Sequence, residues 1–271
     1  MLSVYTLFSG SGGNCVYVKD NSTEILIDAG RSCGAIEKAL SNFGSSLRKI
    51  KAIFITHEHS DHTGGLEVIS KKYQIPVYFT APSYDNYVRA GSFLQRFAHR
   101  MDVEYVQAVE SLTVSSFPVP HDSAQNVGFV ISSPDDTFGI ATDIGHLTDT
   151  IANSLCLCKR IIVEANHDVE MVKSGPYPQH LKARILSKNG HLSNEKCAEF
   201  CAYLCDHGVE EITLAHLSRE NNLPKLAYET VKQQLCACGF ERVPLKIAFA
   251  DIAVCATDGK SYPFKKQEAI Q

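Results

Sequence analysis

The sequence predicts an α/β (or α+β) fold of four layers, αββα, in which two mixed sheets lie between outer layers of helices. Short β-rich runs alternate with segments of helical periodicity in both halves of the chain, and no linker or low-complexity tract separates the halves. With 44% hydrophobic and 21% charged residues, the 271 residues have the composition of a globular protein. We therefore expect one domain that spans residues 1–271.

The first half of the chain is predicted to build one of the two sheets. Its β-rich runs are residues 4–7, 15–18, 24–27, 52–55 and 77–80. Helical periodicity over residues 35–43 and 65–72 predicts two helices that cover this sheet.

The second half repeats the mixture of strands and helices. A hairpin is predicted from the runs 127–132 and 138–142, which flank the turn residues 134–136. Further strands are predicted at residues 161–164, 212–215, 246–250 and 253–256. Helices are predicted at residues 179–188, 194–206 and 226–238.

The charge balance leaves only a local patch for nucleic-acid contact, because the net charge of −4 gives no general basic surface. The best local candidate is the segment from 89 to 100, which holds Arg89, Arg96 and Arg100 among Phe93 and Phe97. An amphipathic segment with solvated charges is the favoured alternative for these residues.

The cysteines are predicted to be buried thiols. Cys197, Cys201 and Cys205 lie at i, i+4 and i+8, on one face of a predicted helix. No apolar run is long enough to span a bilayer, and no secretory signal is recognised at the start of the sequence. These observations predict a cytoplasmic protein without a membrane partner.

One short segment carries most of the chemistry. His57, His59, Asp61 and His62 directly follow the apolar run 52–55, which is predicted to be a buried strand. Such a cluster is costly to bury unless a cation coordinates it. Imidazole and carboxylate ligands suit zinc, iron or manganese, and two ions would use every ligand.

Other predicted strands also end in residues of these types. The residues that directly follow such a strand are Asp28, His121, Asp143 and His216. Loops at strand ends often carry functional groups on a rigid scaffold. We therefore expect these side chains to complete the metal centre.

In their order along the chain, these residues resemble the five motifs of the metallo-β-lactamase superfamily. The resemblance implies the αββα fold and two divalent metal ions, zinc or manganese, with iron as a third option. It assigns the ligands of the first ion as His57, His59 and His121, and those of the second as Asp61, His62 and His216. Asp143 would bridge the ions, and Asp28 would orient the histidine loop by hydrogen bonding.

The chemistry implied by this resemblance is hydrolysis by a metal-bound hydroxide that attacks phosphorus or a carbonyl carbon. Coordination lowers the pKa of bound water to about 7. Asp61 counts among the catalytic residues as well as among the ligands. Asp143 stands where the best-known dinuclear β-lactamases have cysteine, which argues against a lactam substrate.

Two further segments resemble the tRNA 3′-processing endonuclease family. Glu164 lies at the end of a predicted strand, and His191 lies just before a predicted helix whose expected N-cap is Ser193. The resemblance implies that Glu164 orients His191, which protonates the leaving 3′-oxygen as a general acid. Asn166 departs from the threonine of that family.

Four blocks along the chain resemble the YycJ/WalJ family, a bacterial branch of the same superfamily. They begin at residues 9, 163, 190 and 216 and read SGSGGN, VEANHD, GHLSN and HLSRENN. The resemblance implies a 5′→3′ exonuclease of double-stranded DNA with a role in DNA repair. The short intervals between the motifs leave no room for a β-CASP insertion or for the long arm of the tRNA-processing enzymes.

A nuclease of this size must hold the nucleic acid with loops near the metals. The predicted contacts, which would offer hydrogen-bond donors to phosphates, are Asn14, His167, Tyr177, Arg219 and Asn222. Gly12 and Gly13 would allow close approach of the backbone. No protein partner is indicated by the sequence.

Three other functions stay open on the sequence alone. A glyoxalase-type thioester or other small-ester hydrolase would need the metals but neither Glu164 nor His191. A ribonuclease would use the same residues as a DNA exonuclease. A diiron redox or sensor protein would use similar ligands but usually joins a flavin-binding partner, and this chain has no flavodoxin-like segment.

Overall fold

The computed structural model describes residues 1–258, which form two seven-stranded sheets. The strands of the first sheet are β1 (Ser3–Phe8), β2 (Cys15–Lys19), β3 (Glu24–Ile27), β4 (Ile50–Phe54), β5 (Val77–Thr80), β6 (Ala98–Met101) and β14 (Val254–Cys255). Those of the second are β7 (Val106–Val109), β8 (Leu112–Val119), β9 (Asn126–Ser133), β10 (Asp136–Ala141), β11 (Arg160–Glu164), β12 (Glu211–Ala215) and β13 (Leu245–Ile247). Their spatial orders are 14-1-2-3-4-5-6 and 13-12-11-10-9-8-7.

Helices cover the outer faces of the sheets and fill the connections. They are α1 (Cys33–Ser41), α2 (Ser60–Thr63), α3 (Leu66–Tyr73), α4 (Ala81–Tyr87), α5 (Asp149–Leu155), α6 (Val169–Ser174), α7 (Gln179–Ile185), α8 (Asn194–Asp206) and α9 (Pro224–Ala237). Ser193 caps α8 by accepting the backbone N–H of Lys196, as predicted. Among the helices of residues 1–258, none is both long and apolar enough to cross a membrane.

The strands are apolar on both faces because each sheet is covered on both sides. In β3, Ile25 and Ile27 pack between the two sheets, whereas Leu26 packs beneath the helices of the first sheet. In β11, Ile162 packs between the sheets, whereas Val163 packs beneath the helices of the second. This alternation confirms the predicted four layers, helix, sheet, sheet and helix.

Parallel pairing brings several strand ends to one edge. β3 pairs in parallel with β4, and β11 pairs in parallel with both β10 and β12. In this register Glu164, the last residue of β11, lies beside Ala215 of β12, and His216 follows at once. The polar residues that follow the strands are therefore brought together.

The hairpin β9–β10 is confirmed, with Pro134 and Asp135 as its turn. The strands predicted at residues 246–250 and 253–256 are present but shorter, as β13 and β14, and they join the edges of different sheets. The chain leaves one sheet for the other between them, so continuous pairing is lost. The segment 89–100 forms a 3₁₀ turn at Leu94–Arg96 and enters the edge strand β6. None of the ten cysteines forms a disulfide.

Candidate metal centre and catalytic site

The candidate site lies where strands of both sheets end. Asp28, Asp143 and His216 adopt positive φ angles of 62°, 57° and 56°. Residues other than glycine rarely adopt this conformation, which costs about 1–3 kcal/mol each and persists only where the surroundings enforce it. The strained backbone therefore occurs at the three strand ends, where these side chains turn toward one another.

Three imidazoles form the first group of potential metal ligands. His57, His59 and His121 each offer a ring nitrogen, and these atoms lie within 4.8 Å of one another. Nε2 of His57 is 3.0 Å from Nδ1 of His59. Nδ1 of His121 is 3.1 Å from the carbonyl oxygen of Gly190, to which it can only donate, and Nε2 is left to bind a cation.

Asp61, His62 and His216 form the second group, again with potential ligand atoms within 4.8 Å of one another. Oδ2 of Asp61 lies 3.5 Å from Nε2 of His62 and 3.7 Å from Nε2 of His216. Nε2 of His216 is buried and has no hydrogen-bond partner within residues 1–258. Leaving a buried nitrogen unsatisfied costs about 1–3 kcal/mol, which a bound cation would offset.

Asp143 lies between the two groups. Its Oδ2 is 3.3 Å from Nε2 of His62, and its Oδ1 is 3.7 Å from Nε2 of His121. Oδ2 is buried and makes no hydrogen bond in the part of the chain that the structure describes. A carboxylate placed in this way can contribute an oxygen to either group.

A buried carboxylate orients one imidazole of the second group from behind. Oδ2 of Asp28 is 2.8 Å from Nδ1 of His62, and Oδ1 of Asp28 accepts the backbone N–H of Thr56 at 2.9 Å. The ring of His62 therefore turns Nε2 toward Asp61 and Asp143. Carboxylates that hold metal-binding histidines in this way fix the tautomer and raise the basicity of the ligand.

The carboxylates also decide the ionisation of the histidines. Burial disfavours the charged form of His62, but Asp28 and Asp143 raise its pKa to about 10. Burial also opposes charge on His216, whose pKa is nevertheless raised well above its ordinary value, chiefly by Asp143. A site that favours positive charge in this way also attracts divalent cations, which compete with the same protons.

The residues present fit a divalent-metal centre. Imidazole nitrogens and carboxylate oxygens converge in overlapping groups, and two buried atoms of the cluster, on Asp143 and His216, lack other partners within residues 1–258. This mixture of donors suits zinc, manganese or iron better than an ion that prefers oxygen alone. The structure thus supports divalent-metal binding by the predicted cluster.

Glu164 is fully buried and accepts four hydrogen bonds. Its Oε1 lies 2.9 Å from Nδ1 of His191 and 2.8 Å from Nδ1 of His216. Its Oε2 accepts the backbone N–H groups of Ile144 at 2.7 Å and Leu192 at 3.0 Å. Burial works against the ionised form, but the two imidazoles lower the pKa of Glu164 below its ordinary value. One carboxylate therefore orients both the predicted general acid and a potential metal ligand.

A cavity of about 260 Å³ opens beside His191 and His216. Tyr177, a predicted substrate contact, lines this cavity, and so does Arg184, which forms an ion pair with Asp122. The side chain of His191 is 20% exposed, so it is accessible from the cavity. The open face of the site is thus lined by groups that can donate hydrogen bonds to an anion.

A second cavity, of about 460 Å³, shares His191 with the first. His167, another predicted substrate contact, lines it together with Lys196. His167 is nearly fully buried, and its Nδ1 has no hydrogen-bond partner within residues 1–258. Burial lowers the pKa of His167, which favours the neutral ring.

Asn14 is predicted to contact the substrate, but the structure places it behind the metal cluster. Its amide nitrogen is 3.3 Å from Oδ2 of Asp61 and 3.0 Å from Nε2 of His62. Its side-chain oxygen accepts the backbone N–H of Gly10. Asn14 is buried, so its direct neighbours are the potential ligands rather than the open cavity.

The structure also corrects the expectation for Asn222, which is buried in an internal network. Its amide donates to the carbonyl oxygens of Ala165 and Asn166, and it pairs reciprocally with the amide of Asn194. Its hydrogen-bonding groups are occupied, so it offers none to a substrate. Arg219, by contrast, is exposed.

Two contributors to the site are missed by the sequence analysis. The hydroxyl group of Thr56 donates a hydrogen bond to Asp28. The oxygen of the same hydroxyl, Oγ1, is also 3.1 Å from Nδ1 of both His57 and His62. Glu58 accepts the backbone N–H of Ala124 at 2.7 Å and so ties the turn of the histidine motif to the loop after His121. Both lie inside the motif, but no sequence signal distinguishes these roles.

Asn166, where the tRNA-processing family has threonine, donates its amide to the carbonyl oxygen of His216 at 2.8 Å. Ser9, the first residue of a predicted block, accepts the backbone N–H of His216 at 2.8 Å. These two contacts hold the backbone of His216, which has a positive φ. The sequence blocks that begin at residues 9 and 163 therefore both stabilise the backbone at the end of β12.

The beta-lactamase superfamily domain matches residues 23–217 of the chain. Among individual proteins, the chain is 35% identical over 232 residues to exodeoxyribonuclease WalJ of Streptococcus pneumoniae serotype 2 (strain D39 / NCTC 7466), covering 84% of this chain and 86% of the relative. It is 34% identical over 235 residues to exodeoxyribonuclease YycJ of Bacillus anthracis, covering 86% and 89%. The chain therefore belongs to the metallo-β-lactamase superfamily and, within it, to the WalJ/YycJ family.

Solved structures share the fold at low identity. The metallo-β-lactamase fold protein YhfI of Bacillus subtilis has a TM-score of 0.67 at 11% identity, with 94% of this chain and 99% of that chain covered. The short form of human tRNase Z has a TM-score of 0.64 at 18% identity, with the same coverage. Together with the family match, they confirm the predicted fold, and the family confirms the predicted class, a metal-dependent hydrolase.

Proposed function

We propose that this protein is a metal-dependent nuclease that digests double-stranded DNA from the 5′ end. One observation of the site carries the proposal: Glu164 holds His191 at 2.9 Å beside His216, a potential metal ligand, at the wall of an open cavity. A hydrolase that relies on its metals alone has no need of this oriented imidazole. The name exodeoxyribonuclease, carried by both relatives, supports DNA as the substrate.

The proposed centre holds two divalent ions, zinc or manganese. Its ligands would be His57, His59 and His121 in one group, Asp61, His62 and His216 in the other, and Asp143 between them. When bound, the ions would supply an activated water and electrostatic stabilisation of the charge that develops on phosphorus.

The chain's own residues position the reacting groups. Asp28 and Glu164 hold the rings of His62 and His216, so both imidazoles keep their Nε2 atoms toward the centre. Asp61 has 23% of its side chain exposed, and this carboxylate is assigned to accept a hydrogen bond from the attacking water. Attack forms a new bond to phosphorus and breaks the bond from phosphorus to the 3′-oxygen.

His191 is assigned to protonate the leaving 3′-oxygen. Its Nδ1 is held by Glu164, so Nε2 is the nitrogen that donates the proton. Tyr177 and Arg184 line the same cavity and are assigned to the phosphates beside the scissile bond. Removal of the product and reprotonation of His191 from water complete the cycle.

Digestion of end-labelled duplex DNA tests the proposal. Manganese-loaded protein is compared with Asp143→Ala on duplexes that carry a label at either the 5′ or the 3′ end. Early release of short labelled products from the 5′ label alone, absent with the variant, is the expected result. Early release from the 3′ label would show that digestion runs from the 3′ end instead. Cleavage of RNA but not of DNA would show that the substrate is RNA.

A further inference from the structure

We propose that Arg31 and Arg219 form a phosphate clamp beside the metal centre, and that the carboxylate of Asp251 occupies this clamp until nucleic acid displaces it. The inference rests on the proposed function, because the ligand assigned to the clamp is the phosphodiester backbone of the same substrate. It adds a second point of attachment, outside the cavity that contains His191.

Two guanidinium groups converge on one carboxylate at this position. Nη2 of Arg31 is 3.2 Å from Oδ1 of Asp251, and Nη2 of Arg219 is 3.1 Å from Oδ2. The three side chains are 31%, 53% and 56% exposed, so solvent and ligands reach them. Guanidinium groups bind phosphate oxygens with the same fork that they offer to a carboxylate. A phosphate group can therefore take the place of the Asp251 carboxylate between the two arginines.

The glycine-rich loop is shaped to receive the two arginines. A Cβ atom at Gly12 would lie 3.2 Å from Nη2 of Arg219 and 3.4 Å from Nη1 of Arg31. A Cβ atom at Gly13 would overlap the aliphatic part of Arg31. From the sequence, these glycines are expected to allow the backbone to approach the substrate closely. In the structure, the absence of a Cβ atom at these glycines leaves room for the side chains of Arg31 and Arg219. The proposed contact with the substrate is therefore made by charged side chains rather than by the backbone of the loop.

Two contacts besides the ion pair hold Arg31 in place. Its guanidinium group lies 5.1 Å from the ring centroid of Phe8, and its Nη1 donates to the carbonyl oxygen of Gly12 at 3.2 Å. An oriented arginine loses less side-chain entropy when it binds an anion.

The clamp adjoins the proposed active site through two loops. Ser11 and Ser218 line the cavity of His191; the chain neighbour of Ser11 is Gly12, which lies against both arginines, and that of Ser218 is Arg219 itself. The same glycine-rich loop continues to Asn14, whose backbone N–H donates to the carbonyl oxygen of Asp61 at 2.7 Å. A strand that leaves the cavity between these serines meets the guanidinium groups next.

The salt dependence of DNA binding tests the clamp. A short fluorescent duplex with phosphorothioate linkages resists cleavage, so complete, metal-loaded protein can be used. Anisotropy gives the binding constant between about 50 and 200 mM salt. The variants are Arg31→Gln, Arg219→Gln, their double variant and Asp251→Asn. Lys51→Gln is the matched control, because Lys51 is exposed, is paired with Glu110 at 2.9 Å, and lies at the start of β4, whose other end leads to the histidine motif.

Each single arginine variant is expected to weaken binding and to reduce the slope of log K against log salt by about 0.9, and the double variant by about 1.8. Asp251→Asn is expected to tighten binding up to about fivefold, as the strength of an exposed ion pair allows. Lys51→Gln is expected to leave the slope unchanged.

An unchanged slope in the double variant, with duplex still bound by the wild type, overturns the clamp while the proposed function stands. Unchanged or weaker binding by Asp251→Asn overturns the role of the carboxylate. If the wild type binds no duplex, the same series is run on single-stranded DNA and on RNA. Binding to neither removes the proposed function, and the clamp with it.

Discussion

Nδ1 of His216 lies 2.8 Å from Oε1 of Glu164, and this contact decides which nitrogen of the ring is available to a metal. Because the carboxylate can only accept, Nδ1 carries the proton and Nε2 faces Asp61. Asp28 holds His62 by the same geometry at 2.8 Å. The ring orientation and tautomer of two imidazoles in one ligand group are thus fixed by carboxylates that come from different sheets.

Replacing Glu164 with glutamine is expected to lower metal affinity about 10–100-fold. The carboxylate accepts four hydrogen bonds, and an amide must turn its NH₂ group toward two of those donors. Competition with a chelating dye measures the affinity. Glu229→Gln, on the exposed side of α9, is the matched control and should bind metal as the wild type does. Equal affinity in Glu164→Gln would show that His216 needs no orientation.

Asp28→Asn is expected to weaken metal binding by a similar factor while the fold is kept. Asparagine tolerates the positive φ of 62° at this position, so the change removes the charge that faces His62 without adding backbone strain. Metal content after dialysis and circular dichroism measure the two effects separately. Asp28→Ala should lose metal and also stability, since alanine tolerates this backbone less well. Wild-type metal content in Asp28→Asn would show that the charge of Asp28 is not what holds His62.

His191→Ala is expected to slow phosphodiester cleavage about 10²–10⁴-fold, the usual contribution of a general acid. Metal content should stay at the wild-type level, because Glu164 continues to hold His216. Single-turnover cleavage and metal analysis on the same sample distinguish the two roles. His180→Ala, on an exposed face of α7, serves as the control. Loss of metal with His191→Ala would make His191 a ligand instead.

Lys246→Met is expected to destabilise the protein by about 3–5 kcal/mol. Lys246 is fully buried and forms ion pairs with the buried Glu211 and, at 2.6 Å, with the half-buried Asp258, so the change removes a positive charge that two acidic groups face. Urea unfolding measures the shift in midpoint. The exposed pair of Lys225 and Glu229 provides the control, since Lys225→Met should change stability by less than about 1 kcal/mol. A small effect at Lys246 would show that water reaches the buried pair.

The ligand cluster and the layered fold are predictable because they depend on local patterns. His57, His59, Asp61 and His62 lie within six positions, directly after an apolar strand, so the position of the strand alone brings them together. Likewise, strands that are apolar on both faces require cover on both sides, which is the origin of the four layers.

The clamp and the internal networks could not be predicted, because they depend on contacts between distant parts of the chain. Arg31, Arg219 and Asp251 meet only after the two sheets have packed, and nothing in their local sequence marks the meeting. Asn222 has the residue type of a phosphate contact, but the register of the loops after β11 and β12 buries it against Asn194. The short strand β14 depends in the same way on a partner, β1, at the other end of the chain.

Metal titration of the nuclease activity tests the central claim most directly. Metal-free protein is titrated with manganese or zinc. The rate of hydrolysis of a labelled DNA duplex and the amount of bound metal are measured in the same samples. We predict that cleavage rises with bound metal until the sites are full, and that Asp143→Ala, which lacks the carboxylate between the two ligand groups, does not cleave at any metal concentration. Metal-replete wild type that hydrolyses a thioester but neither DNA nor RNA would contradict the account and favour a glyoxalase-type enzyme.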